Sequence, residues 1–278
     1  MRQTLRHIIL CADDYGISPA VSAAIRDLIA GGRINATSVM VAAPSFSQDE
    51  AAALAEAAAA TSAAIGLHLT LTAPFAPLTA GFAPLRNGAF LPLAAMARRA
   101  LTHSLKPALL DIEMISQVAA FHAAFGRAPD YVDGHQHIHV FPQIGEALLR
   151  VIKLAAPRAW VRQCARSAAA RKSLADPKGL VLDGLSRRFR RLAAAQNVRT
   201  NPAFAGTYAF RPKADFARLF PGFLDDLPDG GLVMCHPGKV DAELRRLDPL
   251  TDLREREYAY FLGASFPRLL AERGVTLG

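Results

Sequence analysis

The sequence predicts an α/β fold: a single-domain β/α barrel, incomplete or distorted, with about seven mainly parallel strands. Short apolar segments alternate with helical segments along the 278 residues, a pattern typical of parallel strands covered by helices. The strand segments are apolar throughout, so both faces of the sheet are expected to be buried. No internal repeat or linker is evident. We therefore predict one domain over residues 1–278, with a basic helical insertion around residues 163–200.

The N-terminal third shows a strand–helix–strand pattern. Residues 7–12 form an apolar run that predicts a buried strand, and two aspartates follow it directly. Ser18 and Pro19 are typical of a helix N-terminus, and Gly31 is typical of a helix end. The next predicted elements are a strand over residues 34–42, a helix over 48–60 and a strand over 64–71.

The rest of the chain begins with a long connection. Residues 72–93 are rich in Pro and Gly without a clear period, and a loop of this length is typically functional. The elements predicted after it are helices over residues 107–125, 144–154 and 251–271, and strands over residues 131–140, 159–161, 208–210 and 232–235.

Composition indicates a soluble globular protein, with 51% hydrophobic and 20% charged residues. No apolar run approaches the roughly 20 residues that a membrane span needs. The N-terminus does not resemble a secretory signal, so we expect a cytoplasmic location. Cys11, Cys164 and Cys235 are too scattered for a disulfide framework or a thiolate zinc site. Cys11 and Cys235 are expected inside buried strands.

Four polar motifs follow predicted strands, where the active sites of parallel α/β folds form. They are Asp13-Asp14, His68 in GLHLTLT, the segment DGHQHIH over residues 133–139, and His236 in MCHPG. Each also has a purely structural interpretation. The aspartates could favour the dipole of the next helix, His68 could be a hydrogen-bonded core histidine, and His236 could be a turn residue.

The HQHIH segment is the hardest of the four to explain structurally. On a strand, alternate residues face the same way, so His135, His137 and His139 are expected on one side. Three neighbouring imidazoles are costly in a core unless they bind a metal or polar partners. Two histidines and one carboxylate would form a three-ligand set, typical of catalytic zinc. A second carboxylate could then take a proton from a metal-bound water.

The motifs ADDYGIS, GLHLTLT, DGHQHIHVFP and MCHPG, in this order and spacing, resemble the YdjC-type carbohydrate deacetylases, the ChbG/HpnK family. The resemblance extends from the first strand to about residue 240 and is weakest over residues 158–207. Tyr15 departs from the usual ADDFG pattern of this family. The resemblance implies a metal-dependent hydrolase that removes an N-acetyl group from an acetylated amino sugar, on an oligosaccharide or a glycolipid, and releases acetate.

The resemblance also implies roles for individual residues. It implies that Asp14, His68 and His135 bind one divalent metal ion. Asp13 would be the general base and His236 the general acid. The remaining candidates would contact the substrate or support these groups: His137, His139 and Arg162. The ligand set suits Zn²⁺, whereas the resemblance suggests Mg²⁺ or another divalent ion, and the choice stays open. A homodimer is a further hypothesis.

Two other functions remain open at this stage. A phosphoesterase or amidohydrolase could use the same ligands, although no glycine-rich phosphate loop is present. A nucleic-acid-binding protein would fit the net charge of +8. Between residues 158 and 199, eleven basic residues face only two acidic ones. This segment nevertheless lacks a recognisable nucleic-acid motif, so nucleic acid is the less favoured partner.

Residues 185–192 (LSRRFRRL) suggest a further hypothesis. On a helix, Leu185, Phe189 and Leu192 would share one face, while four arginines spread around the others. Such a helix can lie on an anionic membrane surface, and the acetylated substrate could then be lipid-linked. A solvated basic helix is the simpler interpretation.

Overall fold

The fold is that of a computed structural model, in which residues 5–166 and 177–277 are described. In chain order, the strands are β1 (Arg6–His7), β2 (Ile9–Tyr15), β3 (Ala36–Val39), β4 (Ala64–Leu69), β5 (Leu85–Arg86), β6 (Ala89–Phe90), β7 (Tyr131–Gly134), β8 (Trp160–Val161), β9 (Phe204–Ala205), β10 (Leu232–Cys235) and β11 (Val275–Thr276). The helices are α1 (Pro19–Ala30), α2 (Gln48–Ala59), α3 (Leu93–Leu101), α4 (Pro107–Phe125), α5 (Pro142–Ala155), α6 (Pro177–Ala195), α7 (Phe216–Phe223), α8 (Ala242–Leu247), α9 (Asp252–Leu262) and α10 (Ser265–Glu272).

Seven strands form the main sheet, in the order β8-β7-β4-β3-β2-β10-β9. Every neighbouring pair in this sheet is parallel. The two edges approach each other, because Val161 bridges Thr200 and Arg166 bridges Phe204. The sheet therefore curls into an incomplete barrel. The predicted fold of about seven mainly parallel strands is confirmed.

The first strand–helix unit forms where the sequence predicts it. All residues of β2 except Ile9 are buried, as expected for a parallel strand covered on both faces. The Ser18 hydroxyl accepts a hydrogen bond from the Val21 backbone N–H and caps α1, and Pro19 occupies the first turn of that helix. Asp13 and Asp14 thus lie at the junction of a buried strand and a capped helix.

Helix α4 is part of the layer that covers the sheet. It contacts α2, α5 and β4, and Glu113 within it accepts hydrogen bonds from the backbone of Leu78 and Thr79. By length and composition alone, α4 is also the one helix in the described parts of the chain that could cross a membrane. Its buried polar residues instead hold the connection between β4 and α3 in place.

The HQHIH segment is not a strand, so the prediction of a strand over residues 131–140 is wrong beyond Gly134. Strand β7 ends there, because its last pairing is with Leu69 at the end of β4. Without a neighbouring strand, the next residues cannot continue the ladder. Gln136 and His137 have positive φ angles of 55° and 57°. Alternate histidines therefore do not face one side.

Two further predictions are wrong at the C-terminal end. Residues 208–210 form no strand, because the edge strand β9 ends before Gly206, whose φ is +102°. A Cβ at Gly206 would lie 2.0 Å from the Met234 carbonyl oxygen, so only glycine permits this turn. The single helix predicted over residues 251–271 is broken into α9 and α10 at Gly263, which has an extended backbone (φ −63°, ψ 149°).

The long connection after β4 contains elements that were not predicted from the sequence. β5 and β6 pair antiparallel, and Asn87 and Gly88 between them have positive φ angles. Asn-Gly is the typical two-residue hairpin turn. Helix α3, over residues 93–101, was also not predicted.

The basic helix packs on the protein through its apolar side. Residues 185–192 lie within α6, so their helical prediction is confirmed. Phe189 is buried against the His139 ring, while Leu185 and Leu192 pack partly against the core. The apolar face that a membrane-surface helix would need is therefore occupied. Residues 167–176 of the predicted insertion lie outside the described residues.

Candidate active site

Asp13 and Asp14 both reach the interior because β2 is irregular at its carboxyl end. The register between β2 and β3 shifts between Ala12 and Tyr15, and Asp14 has a φ of +68°. In a regular strand, consecutive side chains would point to opposite faces. The bulge directs both carboxylates into the same buried centre, and each of them is only 1% exposed.

Asp14 meets two of the predicted ligand histidines through one oxygen. Its Oδ1 lies 3.2 Å from His68 Nε2 and 3.0 Å from His135 Nδ1. One ligand atom from each of these three residues lies within 4.8 Å of the others. The three residues come from the carboxyl ends of β2, β4 and β7; β7 and β4 are neighbours in the sheet, and β3 lies between β4 and β2. We call Asp14, His68 and His135 the ligand trio.

His68 is oriented by a carboxylate behind it. Its Nδ1 lies 2.6 Å from Asp133 Oδ1, and Asp133 also accepts a hydrogen bond from the Ser38 hydroxyl at 2.6 Å. A hydrogen bond from Nδ1–H to Asp133 leaves the Nε2 lone pair directed at the trio. This carboxylate–histidine arrangement is typical of metal-ligating histidines.

Asp13 is held by Arg162, a fully buried arginine directly after β8. The two guanidinium Nη atoms donate to Oδ1 and Oδ2 of Asp13, each at 2.6 Å. The same guanidinium contacts Asp133 Oδ2 at 2.5 Å and Cys11 Sγ at 3.0 Å. Burial by itself would raise the pKa of Asp13, but the Arg162 charge and hydrogen bonds lower it below its ordinary value.

Helix α9 supplies a second buried arginine, which holds the other oxygen of Asp14. Arg254 Nη2 donates to Asp14 Oδ2 at 2.6 Å and to Asp248 Oδ2 at 2.8 Å. Burial opposes ionisation of Asp14, but Arg254 and then His135 hold the pKa of this carboxyl well below its usual range. Asp14 is therefore a fixed anion that presents only Oδ1 to the trio.

His236 lies on the Oδ2 side of Asp14, at the loop after β10. Its Nε2 is 4.0 Å from Asp14 Oδ2, and its backbone N–H donates to Glu257 of α9 at 2.5 Å. The second Glu257 oxygen accepts from the Tyr208 hydroxyl at 2.6 Å. Burial lowers the pKa of His236, although the charge of Asp14 opposes the shift.

His137 and His139 contact other partners than the trio. His139 is buried, and its Nε2 donates to the Arg162 carbonyl oxygen at 2.9 Å. Burial lowers its pKa to about 4, so His139 is neutral at pH 7. His137 lies edge-on to Phe204, with its Nδ1 3.7 Å from Cys164 Sγ. The hydrogen bond from His139 to the carbonyl oxygen fixes the backbone of Arg162.

The ligand trio fits a divalent cation in donor type and in charge. Imidazole nitrogens and a carboxylate oxygen converge, and four carboxylates surround two guanidinium groups: Asp13, Asp14, Asp133 and Asp248, with Arg162 and Arg254. Burial alone would lower the pKa of His68, but the carboxylates of Asp133 above all, and then of Asp14 and Asp13, raise it to about 10. The surroundings therefore favour a positive charge at this point.

A second cluster of metal-ligand residue types contains the guanidinium group of Arg162. Ligand atoms of Cys11, Asp13 and Asp133 lie within 4.8 Å of one another. Arg162 contacts all three, so it already supplies the positive charge there. Within the described residues, the trio is the one such cluster without an arginine among its converging ligand atoms.

The structure thus brings together Asp13, Asp14, His68, His135, Arg162 and His236, all candidates from the sequence. Sequence reasoning missed the supporting groups Asp133, Arg254 and Glu257. Asp133 stood in the DGHQHIH motif, and its carboxylate next to the histidines was an available signal. Arg254 and Glu257 stand in LREREYAY, where they look like exposed helix charges. Only their complete burial distinguishes them.

Several solved structures share this fold at low sequence identity. A proposed cellobiose-phosphate cleavage protein of Enterococcus faecalis V583 is 22% identical, with a TM-score of 0.71, over 99% of this chain and 97% of that chain. A lactam utilization protein of Thermus thermophilus is 13% identical, with a TM-score of 0.51, over 99% of both chains. At these identities the likeness shows the fold alone.

The family comparison covers the barrel and all of the candidate site. Residues 7–272 match the YdjC-like protein family, a span that includes β2 with its two aspartates and α9 with Arg254 and Glu257. This agrees with the resemblance carried by ADDYGIS, GLHLTLT, DGHQHIHVFP and MCHPG. The chain belongs to the YdjC-like protein family.

Proposed function

We propose that this protein is a metal-dependent hydrolase that removes the N-acetyl group of an acetylated amino sugar and releases acetate. The observation that carries the proposal is the buried ligand trio with a carboxylate on one side and a histidine on the other. Asp13 and His236 are the two groups that could exchange protons with a substrate held at the trio. The family membership supports a carbohydrate-directed hydrolase.

The trio would hold one divalent cation, Zn²⁺ or Mg²⁺. Asp14 would bind through Oδ1, because Arg254 holds Oδ2, and His68 would bind through Nε2, because Asp133 faces Nδ1. Such a cation supplies Lewis-acid polarisation of the acetyl carbonyl and acidifies a water. Three protein ligands leave coordination positions for both.

Asp13 is the proposed general base. Its pKa is held low by Arg162 despite burial, so the carboxylate stays ionised at all pH values near neutrality. A carboxylate of low pKa is a weak base, and it therefore suits a water that is already acidified. Asp13 would take one proton from the attacking water as the water oxygen bonds to the acetyl carbon.

His236 is the proposed general acid. Its imidazole stands on the opposite side of Asp14 from the two ligand histidines, with Nε2 4.0 Å from Oδ2. Protonated Nε2–H would donate to the departing sugar nitrogen as the C–N bond breaks. Burial lowers the pKa of His236, and the neighbouring Asp14 carboxylate opposes this shift and favours the imidazolium form that a general acid needs. The products are acetate and the free amino sugar.

The alternative of a two-metal phosphoesterase has less support. Such enzymes hold two metals about 3.5–4 Å apart. Next to the trio, the only other cluster of ligand types among the described residues already contains Arg162. A single cation is therefore the arrangement that the geometry favours.

The replacement Asp13→Asn tests the proposal. We expect acetate release from N-acetylated chito-oligosaccharides to fall by about 10²–10⁴-fold, the usual contribution of general acid–base catalysis. One equivalent of Zn²⁺ should still bind, because the ligand trio is unchanged. Asp49→Asn, at an exposed position in the first turn of α2, is the control and should keep full activity. Turnover of Asp13→Asn at the wild-type rate would exclude this role.

A further inference from the structure

We propose that Phe210 forms a stacking platform for the pyranose ring of the substrate at the mouth of the active site. The inference rests on the proposed function and deepens it, because it names a binding subsite outside the ligand trio. The platform would select an amino sugar over a small acetylated amine that has no ring.

Phe210 is exceptional among the aromatic residues of this chain. All fifteen Phe, five Tyr and one Trp lie in the described ranges 5–166 and 177–277, and among them Phe210 has the most exposed side chain, at 40%. Aromatic rings otherwise fill the core or pack partly against it. An exposed ring next to a candidate site is a feature expected of a ligand-binding surface.

The exposed Phe210 ring lies next to His236, the proposed general acid. Its centroid lies 5.5 Å from that of His236, with the two ring planes at 84°. His236 Nε2 is in turn 4.0 Å from Asp14 Oδ2. A sugar lying on Phe210 would therefore stand beside the proposed acid, with its amide nitrogen within reach of the imidazole.

Phe210 is also held in place before any ligand binds. Gly206 turns the chain out of β9, and Tyr208 then anchors it through the hydrogen bond to the buried Glu257 at 2.6 Å. The Tyr208 and Phe210 ring centroids are 4.3 Å apart. Because Glu257 also binds the backbone of His236, one carboxylate fixes both the platform and the acid. Such preorganisation lowers the entropy cost of binding.

The chemistry of the ring indicates the ligand. Phenylalanine has no hydrogen-bonding group, so it can recognise only an apolar face. A pyranose whose hydroxyl groups are equatorial presents a flat face of C–H groups, which can pack on an aromatic face. We therefore expect an N-acetylated pyranose that presents such a C–H face to bind better than an acetylated amine without a ring.

The test measures binding by calorimetry in the zinc-loaded Asp13→Asn protein, in which turnover of the ligand should be slower by about 10²–10⁴-fold. Adding Phe210→Ala should weaken binding of di-N-acetylchitobiose by about tenfold, a loss typical of an aromatic stacking contact. Acetate, which is small enough to reach the trio alone, should bind as before. Phe210→Trp should retain sugar binding and Phe210→Leu should not. Leu219→Ala, at another exposed apolar residue, is the control.

The outcomes separate the two proposals. If the sugar binds equally well with and without Phe210→Ala, the platform is wrong while the deacetylase proposal stands. If Phe210→Leu retains full affinity, the contact is not aromatic stacking and the inference is overturned. If the wild-type zinc protein releases acetate from no N-acetylated sugar, and Asp13→Asn binds none, both proposals fail.

Discussion

Arg162 connects several buried groups of the candidate site. Its guanidinium binds both oxygens of Asp13, one oxygen of Asp133 and the thiol of Cys11. Through Asp133 it acts indirectly on His68, one of the proposed ligands. A buried charge network of this kind is stable only when every member has its partner.

Replacement of Arg162 by Met should therefore be strongly destabilising. Asp13 and Asp133 would remain buried without their counter-charge, and breaking a buried pair by removing one partner costs about 3–5 kcal/mol. Urea unfolding measures this change. Arg127→Met removes an exposed pair with Asp130 and should cost less than about 1 kcal/mol. Equal effects of the two replacements would show that the Arg162 network is not held as described.

Asp14 shows what the sequence could and could not predict at this scale. The residue types, their order and their positions after strands are visible in the sequence, so Asp13, Asp14, His68, His135 and His236 could be proposed as site residues. The bulge at Asp14 could not, because a positive φ at an aspartate depends on strand pairing that the local sequence does not encode. That bulge is the reason that two consecutive carboxylates share one centre.

At the scale of elements, helix α9 connects both sides of the site. Arg254 and Glu257 are three residues apart and thus share one face of the helix. The first holds the ligand Asp14, and the second holds the His236 backbone and Tyr208. Helix α9, which the sequence predicted as part of one helix over residues 251–271, is therefore a structural support of the site.

Glu257 in α9 should make the free energy of unfolding depend on pH. Burial raises the pKa of Glu257 from 4.5 to about 7, although its hydrogen bonds oppose this. Between these values the folded protein retains a proton that the unfolded chain has lost. The free energy of unfolding should then decrease as pH rises from about 4.5 to about 7, by a total on the order of 3 kcal/mol. Above this window Glu257 should make no further change to the free energy of unfolding.

Glu257→Gln should remove this component, because glutamine is neutral at every pH. Urea unfolding at pH 5 and pH 8 should show a smaller loss of stability for the variant than for the wild type. Glu255→Gln, at an exposed position of the same helix, is the control and should retain the wild-type difference. Parallel pH profiles for Glu257→Gln and wild type would contradict a raised Glu257 pKa.

Other elements could be predicted where their sequence signals involve only residues that are close together in the chain. The cap at Ser18 and the apolar runs of β2, β4 and β10 predicted their elements, because capping and burial act on neighbouring residues. The strand predicted through His139 failed, because strands end where their neighbours end. The hairpin of β5 and β6 carried its own Asn-Gly signal, which the sequence-based prediction did not use.

At the scale of the molecule, the barrel places every candidate group at one end of the sheet. The site residues from β2, β4, β7 and β10 follow the carboxyl ends of those strands, as expected for parallel α/β folds. In α6, the side chains of Arg188, Arg190 and Arg191 are exposed, and Arg188 is paired with Glu146. These arginines add positive charge at the surface, whereas the candidate site contains more carboxylates than guanidinium groups.

The central claim is that one divalent cation at the ligand trio supports release of acetate. The most direct test titrates metal-stripped protein with Zn²⁺ or Mg²⁺ by calorimetry while acetate release from an N-acetylated chito-oligosaccharide is measured in parallel. We predict one equivalent bound, activity rising in proportion to occupancy, and loss of both in His68→Ala and His135→Ala. Acetate release that survives complete chelation, or a stoichiometry of two, would contradict the account.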